Sequence, residues 1–300
     1  MSRQQRQELD ATLRAAPQPN GPASIEQMRA GFAHFMSRFP VPSGVDRVPT
    51  ELGGRPAVRV EPQGEVRAGM ILYFHGGSFS LGSPETAMVL TAHLVSRTQI
   101  RAVSLDYRLA PEHPFPAAID DCVEAYRQLL EDGVEPTDIV FAGDSAGGGL
   151  AVTTTLAARN AGLPLPAGIV AFSPGLDHTR SGASMASKAD ADPLFTPEGM
   201  DRTGALYLDG QDPDQPLLAP AVRADLTGFP PMLLQVGTNE LLLDDAVRLA
   251  DRAREAEVDV ILDVVAGVPH VFPAFVGTLD EADEALARAA LFIKQRLRSH

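Results

Sequence analysis

Between an apolar run, Asp138 to Gly143, and a helical stretch, Ala146 to Asn160, the chain reads Gly143-Asp144-Ser145-Ala146-Gly147-Gly148. A serine flanked at two residues' distance by glycines, on a tight strand-to-helix turn, is the pattern of a nucleophile elbow. The glycines leave room for a strained backbone, so the Ser145 hydroxyl projects where a substrate carbonyl can reach it. The amide of Ala146, at the start of the helix, faces the same point. A second segment, His75-Gly76-Gly77-Ser78-Phe79, follows the apolar run Met70 to Phe74. The amides of Gly76 and Gly77, with that of Ala146, are candidate donors to the oxyanion of a tetrahedral intermediate. Phosphate binding is the rival chemistry for such a turn, and neither G-x-x-x-x-G-K-[ST] nor G-x-G-x-x-G is present. A serine that merely caps a helix is the plainer alternative. His75 reads as a residue that orients its loop, because there is no H-E-x-x-H and no ligand set at metal spacing. No metal is expected.

A serine nucleophile needs a general base, and after such an elbow the acid and then the base follow in chain order. Of seven histidines, only His178, His270 and His300 come after Ser145. His270 lies in Gly267-Val268-Pro269-His270-Val271-Phe272, directly after the last apolar run, where a site at strand ends is assembled. The acid belongs on the loop after the preceding run, which continues Thr238-Asn239-Glu240 and, further on, Asp244-Asp245. Glu240 is nearest the strand end and can hold the second imidazole nitrogen. Asp244 and Asp245 remain as alternatives, with charge at a helix N-terminus as their plainer role.

The elements that must position these residues follow from the pattern around them. Met70 to Phe74, Ala102 to Tyr107, Asp138 to Gly143, Gly168 to Phe172, Met232 to Gly237 and Asp259 to Val265 are predicted strands. Several are apolar almost without alternation, as in strands covered on both faces. Arg47 to Leu52 and Ala57 to Glu61 alternate better around Gly53-Gly54 and read as an antiparallel edge hairpin. Helices are predicted over Pro116 to Glu131, Ala146 to Asn160, Leu243 to Glu257 and about Asp280 to Arg298, the last with acids first and bases last. The reading is α/β, a mostly parallel sheet of about eight strands with helices on both faces.

Two segments stand outside this alternation. Near the N-terminus, Ser24-Ile25-Glu26-Gln27 reads as a capping box, and Ile25, Met28, Phe32, Phe35, Met36 and Phe39 recur at helical spacing. The second is an insertion from about Asp177 to Pro216 with a helical middle around Thr196 to Leu208. The expectation is a helical cap, residues 1–45 plus 177–216, over a catalytic domain of residues 46–176 and 217–300. Phe32 and Met28, with Phe79 beside the oxyanion loop, would line an apolar acyl site.

Composition narrows the function classes. The 300 residues are 44% hydrophobic and carry a formal charge of −14, with no basic run, so nucleic acid is not an expected partner. The one cysteine, Cys122, reads as a small buried hydrophobe and allows no internal disulfide. A cytoplasmic setting is expected. The first sixteen residues lack a signal-peptide apolar core, and no stretch approaches a membrane span. With 6% aromatic residues, action on aggregated fat is not expected.

With these residues placed, the chain resembles the hormone-sensitive-lipase-like esterases, bacterial family IV of the α/β-hydrolase fold. The resemblance covers about residues 65 to 295. It rests on HGGSF at 75 to 79, LDYRLAPEHPFPAAIDD at 105 to 121, GDSAGG at 143 to 148, DLTGFPPMLLQVGTNE at 225 to 240, and VPHVF around His270. It implies the triad Ser145, Glu240 and His270, the oxyanion donors Gly76, Gly77 and Ala146, and a cap from the two outlying segments. In Tyr107-Arg108-Leu109-Ala110-Pro111-Glu112 the family residues look structural, bracing the oxyanion and elbow loops. The chain departs from the family at Ser78, which replaces a third glycine, and at Glu240-Leu241-Leu242, which replaces Asp-Pro-Leu. Relatives often dimerise, and the strand over Asp259 to Val265 would offer a sheet edge to a homodimer.

The implied activity is a serine carboxylesterase for short- to medium-chain acyl esters, needing no cofactor. A lactone or amide hydrolase with the same triad is the enzymatic alternative. A non-catalytic ligand-binding protein on this fold, as among plant gibberellin receptors, is the other. Those receptors have lost the histidine that this chain keeps at 270.

Overall fold

Strand and helix alternate along nearly the whole chain, and the computed structural model describes residues 2–15 and 23–297. Two helices come first, α1 (Ser2–Arg14) and α2 (Ile25–Met36), followed by β1 (Val45–Leu52), β2 (Arg55–Pro62) and β3 (Arg67–Phe74). Next are α3 (Met88–Thr98), β4 (Ile100–Leu105), α4 (Ala117–Glu131), β5 (Ile139–Asp144), α5 (Ala146–Asn160) and β6 (Gly168–Phe172). The insertion holds α6 (Ser184–Ser187), α7 (Pro197–Leu208) and α8 (Pro220–Arg223). The chain closes with β7 (Met232–Asn239), α9 (Leu243–Glu255), β8 (Val260–Pro269) and α10 (Asp280–Arg296).

All eight strands form one sheet in the order β1-β2-β4-β3-β5-β6-β7-β8. The β1–β2 hairpin and its junction with β4 are antiparallel, and the rest is parallel. The unbroken apolar runs now have their reason. Leu72 and Phe74 of β3, Phe141 of β5 and Ile169 of β6 pack under α4, α5 and α9. Their neighbours Ile71, Tyr73, Val140 and Val170 pack under α3 and α10 on the other face. Period-two alternation persists, but both faces are dry.

Besides the four-residue α6 and α8, two longer helices escape the sequence reading. Within α3 eight of eleven residues are buried, including Thr91 and Thr98, so it shows no polar face to mark its period. In α1 only Leu9 and Leu13 are buried, against Phe272, Phe275 and Leu279. Two apolar residues in a polar stretch are a faint signal, yet each contributes about 2 kcal/mol by burial. The capping box of α2 is present: the Ser24 amide donates to Gln27 Oε1 at 2.9 Å and the Gln27 amide to Ser24 Oγ at 3.3 Å. Thr196 caps α7 through the Gly199 amide at 3.1 Å. The predicted ends Arg298 and His300 lie outside the described residues, as do residues 16–22 of the N-terminal segment.

Candidate active site

The carboxyl ends of β3, β5, β6, β7 and β8 converge on Ser145. That residue sits between β5 and α5 with φ 52° and ψ −119°, a region that costs a non-glycine residue free energy and persists only where its surroundings impose it. Here they do. A Cβ on Gly143 would stand 2.3 Å from the Gly147 carbonyl oxygen, and one on Gly147 only 2.0 Å from that of Phe74. The Ser145 amide donates to the Phe172 carbonyl at 2.8 Å, locking the elbow to β6.

His270 follows β8, and its Nε2 accepts the Ser145 hydroxyl at 2.9 Å. Its Nδ1–H donates to Glu240 Oε2 at 2.7 Å, which sets the tautomer. Glu240 is fully buried after β7, and its Oε1 accepts the Ser173 hydroxyl at 2.8 Å and the Gly237 amide at 2.7 Å. Burial alone would lower the pKa of His270. The charge and hydrogen bond of Glu240, with the charges of Asp192 and Asp144, outweigh it and hold the imidazole above its ordinary value. Asp244 and Asp245 point elsewhere. Asp244 accepts the Ser184 amide at 3.0 Å, and Asp245 those of Leu176 and Asp177 at 2.7 and 3.0 Å, so both fasten the insertion.

The loop after β3 is braced from below. Tyr107 donates its hydroxyl to the His75 carbonyl at 2.7 Å and stacks on the His75 ring, centroids 4.1 Å apart. Burial drives the His75 pKa down to about 4, so the ring is neutral and its Nδ1–H donates to the Gly76 carbonyl at 2.8 Å. Arg29 of α2 reaches this loop, donating to the Ser80 carbonyl at 2.9 Å and the Ala110 carbonyl at 3.0 Å while pairing with Glu112. The Gly76 amide is turned toward the buried Asp144 carboxylate, whose other oxygen accepts Tyr73 Oη at 2.8 Å. So close is that carboxylate that a Cβ on Gly76 would lie 2.2 Å from Asp144 Oδ2. Gly76 is therefore packed tightly against Asp144, and its amide helps to stabilise that charge. The next residues of the loop, Gly77 and Ser78, border the large cavity beside Ser145, as Gly76 does.

Two cavities meet at Ser145. The larger, about 440 Å³, has Phe32, Phe35 and Met36 of α2 on one side, Leu194 and Phe195 of the insertion on another, and His270 and Gly77 at its floor. Both outlying segments thus contribute walls, and the Phe195 ring meets the His270 imidazole edge-on at 4.9 Å. Phe32 lines this space and Met28 does not, because Met28 lies about 6 Å back along the helix, toward its start. Phe79 is also absent from it. Its ring stacks on Tyr207 at 3.9 Å and faces the smaller cavity, about 30 Å³, on the Ala146 side of Ser145. His178 sits there too, tilted against both rings at 5.4 Å.

Sequence reasoning missed two positioning residues. Ser173, at the end of β6, links Glu240 to the loop after His270, accepting the Val271 amide at 2.9 Å. Its one signal is its place at a strand's carboxyl end before Pro174. Asp192 accepts the amides of Leu194, Phe195 and Leu241 at 2.8, 3.0 and 2.9 Å, tying a cavity wall to the residue after Glu240. Nothing local marks it. Among the described residues no cluster of His, Cys, Asp and Glu has the form of a metal site.

Comparison with known proteins places the chain in a family. A family model described as alpha/beta hydrolase fold matches residues 71–274. The chain is 42% identical over 224 residues to an acetyl-hydrolase of Streptomyces hygroscopicus, covering 75% of each. It is 35% identical to an esterase of Acinetobacter venetianus over 95% of this chain and 93% of that one. Among solved structures, the hormone-sensitive-lipase homologue EstE7 from a metagenome library superposes with a TM-score of 0.91 at 42% identity, over 99% of both chains. An esterase of the bacterial hormone-sensitive lipase family superposes at 0.92 with 38% identity over 98% of both. The chain belongs to the hormone-sensitive-lipase-like esterases of the α/β-hydrolase fold.

Proposed function

We propose that the protein is a serine carboxylesterase for short- to medium-chain esters, with Ser145 as nucleophile, His270 as base and Glu240 as the acid that holds it. The single observation that carries this reading is the unbroken chain of hydrogen bonds, Ser145 Oγ to His270 Nε2 at 2.9 Å and His270 Nδ1 to Glu240 Oε2 at 2.7 Å. Ser145 Oγ attacks the ester carbonyl as His270 Nε2 takes its proton. The amides of Gly77, Ser78 and Ala146 receive the negative charge on the carbonyl oxygen, Ala146 with the dipole of α5 behind it. The imidazolium then protonates the departing alkoxide, leaving an acyl-enzyme, and water repeats the sequence to free the acid and restore Ser145.

The cap, α2 with the 177–216 insertion, shields this chemistry from bulk water, and the 440 Å³ apolar cavity with the smaller one beside Ala146 bounds the ester on the two sides of its carbonyl. No cofactor enters the scheme. Cys122 is buried and free, which fits a cytoplasmic setting. The edge strand β8, with Ile261 53% and Val264 43% exposed, is the surface through which a homodimer would form.

The test is hydrolysis of p-nitrophenyl esters from acetate to laurate, native protein beside Ser145→Ala. Rates should peak at short to medium acyl chains and vanish in the variant. Best rates on decanoate and longer would refute the chain-length reading, and activity surviving in Ser145→Ala would refute the catalytic one.

A further inference from the structure

The smaller cavity beside Ser145 holds a charged group for which hydrolysis of a neutral ester has no use. Its wall runs from Ser78, Ser145 and Ala146 to Arg180, Met200 and Thr203. Arg180 is half-buried and held at φ +56°. The one hydrogen bond of its side chain within the described residues is a long one, Nη2 to the Met200 carbonyl at 3.3 Å. A guanidinium carries five N–H donors, so most of this set is free.

Three carboxylates are near enough to act on Arg180, those of Asp245, Asp201 and Asp177, and none pairs with it. Asp177 is taken up by Arg248 Nη1 at 3.0 Å and by the amides and hydroxyls of Thr179 and Ser181. Asp245 receives two amides, and burial pushes its carboxyl up to about 7, which weakens its charge at neutral pH. Asp201 is exposed on α7. Burial lowers the pKa of Arg180 against the pull of these charges, the mark of a cation short of a counter-ion.

Proton transfer decides which end of the ester meets Arg180. The alkoxide must leave beside His270, which lines the large cavity and not the small one. For a short acyl group the alcohol therefore occupies the large cavity and the acyl chain the small one, the reverse of the placement expected from Phe32 in the sequence. We propose that Arg180 forms an acyl-side subsite for a carboxylate, so that the preferred substrates are half-esters of short dicarboxylic acids carrying an apolar alcohol. Against a protein of net charge −14, a local guanidinium is what would make an anionic ester a competent substrate. The inference rests on the serine-esterase reading above.

The test compares kcat/KM for ethyl hydrogen succinate with that for its neutral isostere ethyl 4-methylpentanoate, followed by pH-stat. The native protein should favour the half-ester, and Arg180→Leu should lower the ratio at least about tenfold, the value of one charge-assisted contact. Arg180→Lys should keep most of the preference, and free succinate should inhibit the native enzyme more strongly than butyrate. Turnover of the neutral ester with no preference for the half-ester and no inhibition by succinate would overturn the subsite and leave the esterase reading standing. A preference that survives in Arg180→Leu would overturn its assignment to this residue. So would an Arg180-dependent preference for carboxymethyl butyrate, whose charge is on the alcohol. Failure to hydrolyse either ester or p-nitrophenyl acetate would bring down both readings.

Discussion

Ser173 is the most informative position to perturb, because one hydroxyl serves two halves of the site. It donates to Glu240 Oε1 at 2.8 Å and accepts the Val271 amide at 2.9 Å. Ser173→Ala removes a hydrogen bond to a buried carboxylate, about 1.5–3 kcal/mol, and orphans a backbone amide for at least about 1 kcal/mol more. The expected loss of stability is thus about 3 kcal/mol, read from urea denaturation. Glu240 keeps the Gly237 amide and His270, so the triad loosens without coming apart. If about half of the lost bond energy had served to hold His270 in its transition-state position, kcat on p-nitrophenyl butyrate falls about tenfold. Ser173 has φ 46°, so backbone strain is the competing explanation. Ser173→Gly separates the two, since it relieves strain and still lacks the hydroxyl. Both variants should lose activity to a similar degree. A kcat within twofold of native in both would refute the reasoning, and a loss confined to the alanine variant would assign the effect to strain.

Glu240→Gln removes the charge that lifts His270 and leaves the burial that lowers it. Activity needs the neutral imidazole and rises with pH through its pKa, so the acid limb of kcat/KM should move to lower pH while the plateau falls at least about 100-fold. An unmoved limb would contradict the electrostatic account. Asp192→Asn places an NH2 group against at least one of three amides, costing about 2 kcal/mol, and also shifts that limb downward, both measurable on one preparation. Gly147→Ala forces a Cβ to within 2.0 Å of the Phe74 carbonyl oxygen and should destabilise by at least about 3 kcal/mol, with thermal melting as the readout.

The parts legible in sequence are those whose meaning lies within one window of chain. The elbow, the strand runs and the α2 capping box each carry their own periodicity or turn chemistry. Glu240 and His270 are legible by a longer rule, that a site gathers at strand ends, and β7 and β8 bring the two within hydrogen-bond reach. What was illegible depends on register between distant segments. Met28 and Phe32 share a helical face, yet only Phe32 reaches the large cavity, a matter of where α2 is pinned. Arg29 does the pinning, through carbonyls 51 and 81 residues away. Asp192 likewise acquires meaning only once its loop lies beside Leu241.

The same distinction explains why Ser78 can stand where the family has glycine. Its backbone keeps φ +53°, the left-handed region that glycine favours, so the loop shape and its amides are retained at a conformational cost of about 1 kcal/mol. Groups that act through backbone N–H tolerate a change of side chain so long as the dihedral survives. Arg180 is the opposite case, since its contribution is wholly a side chain and its backbone is also left-handed, at φ +56°. A residue held in a strained conformation, half-buried, charged and without an ion-pair partner among the described residues costs stability on every count. In a fold whose other buried acids and bases are mostly paired or bonded to amides, that cost makes sense where the missing partner arrives with the substrate.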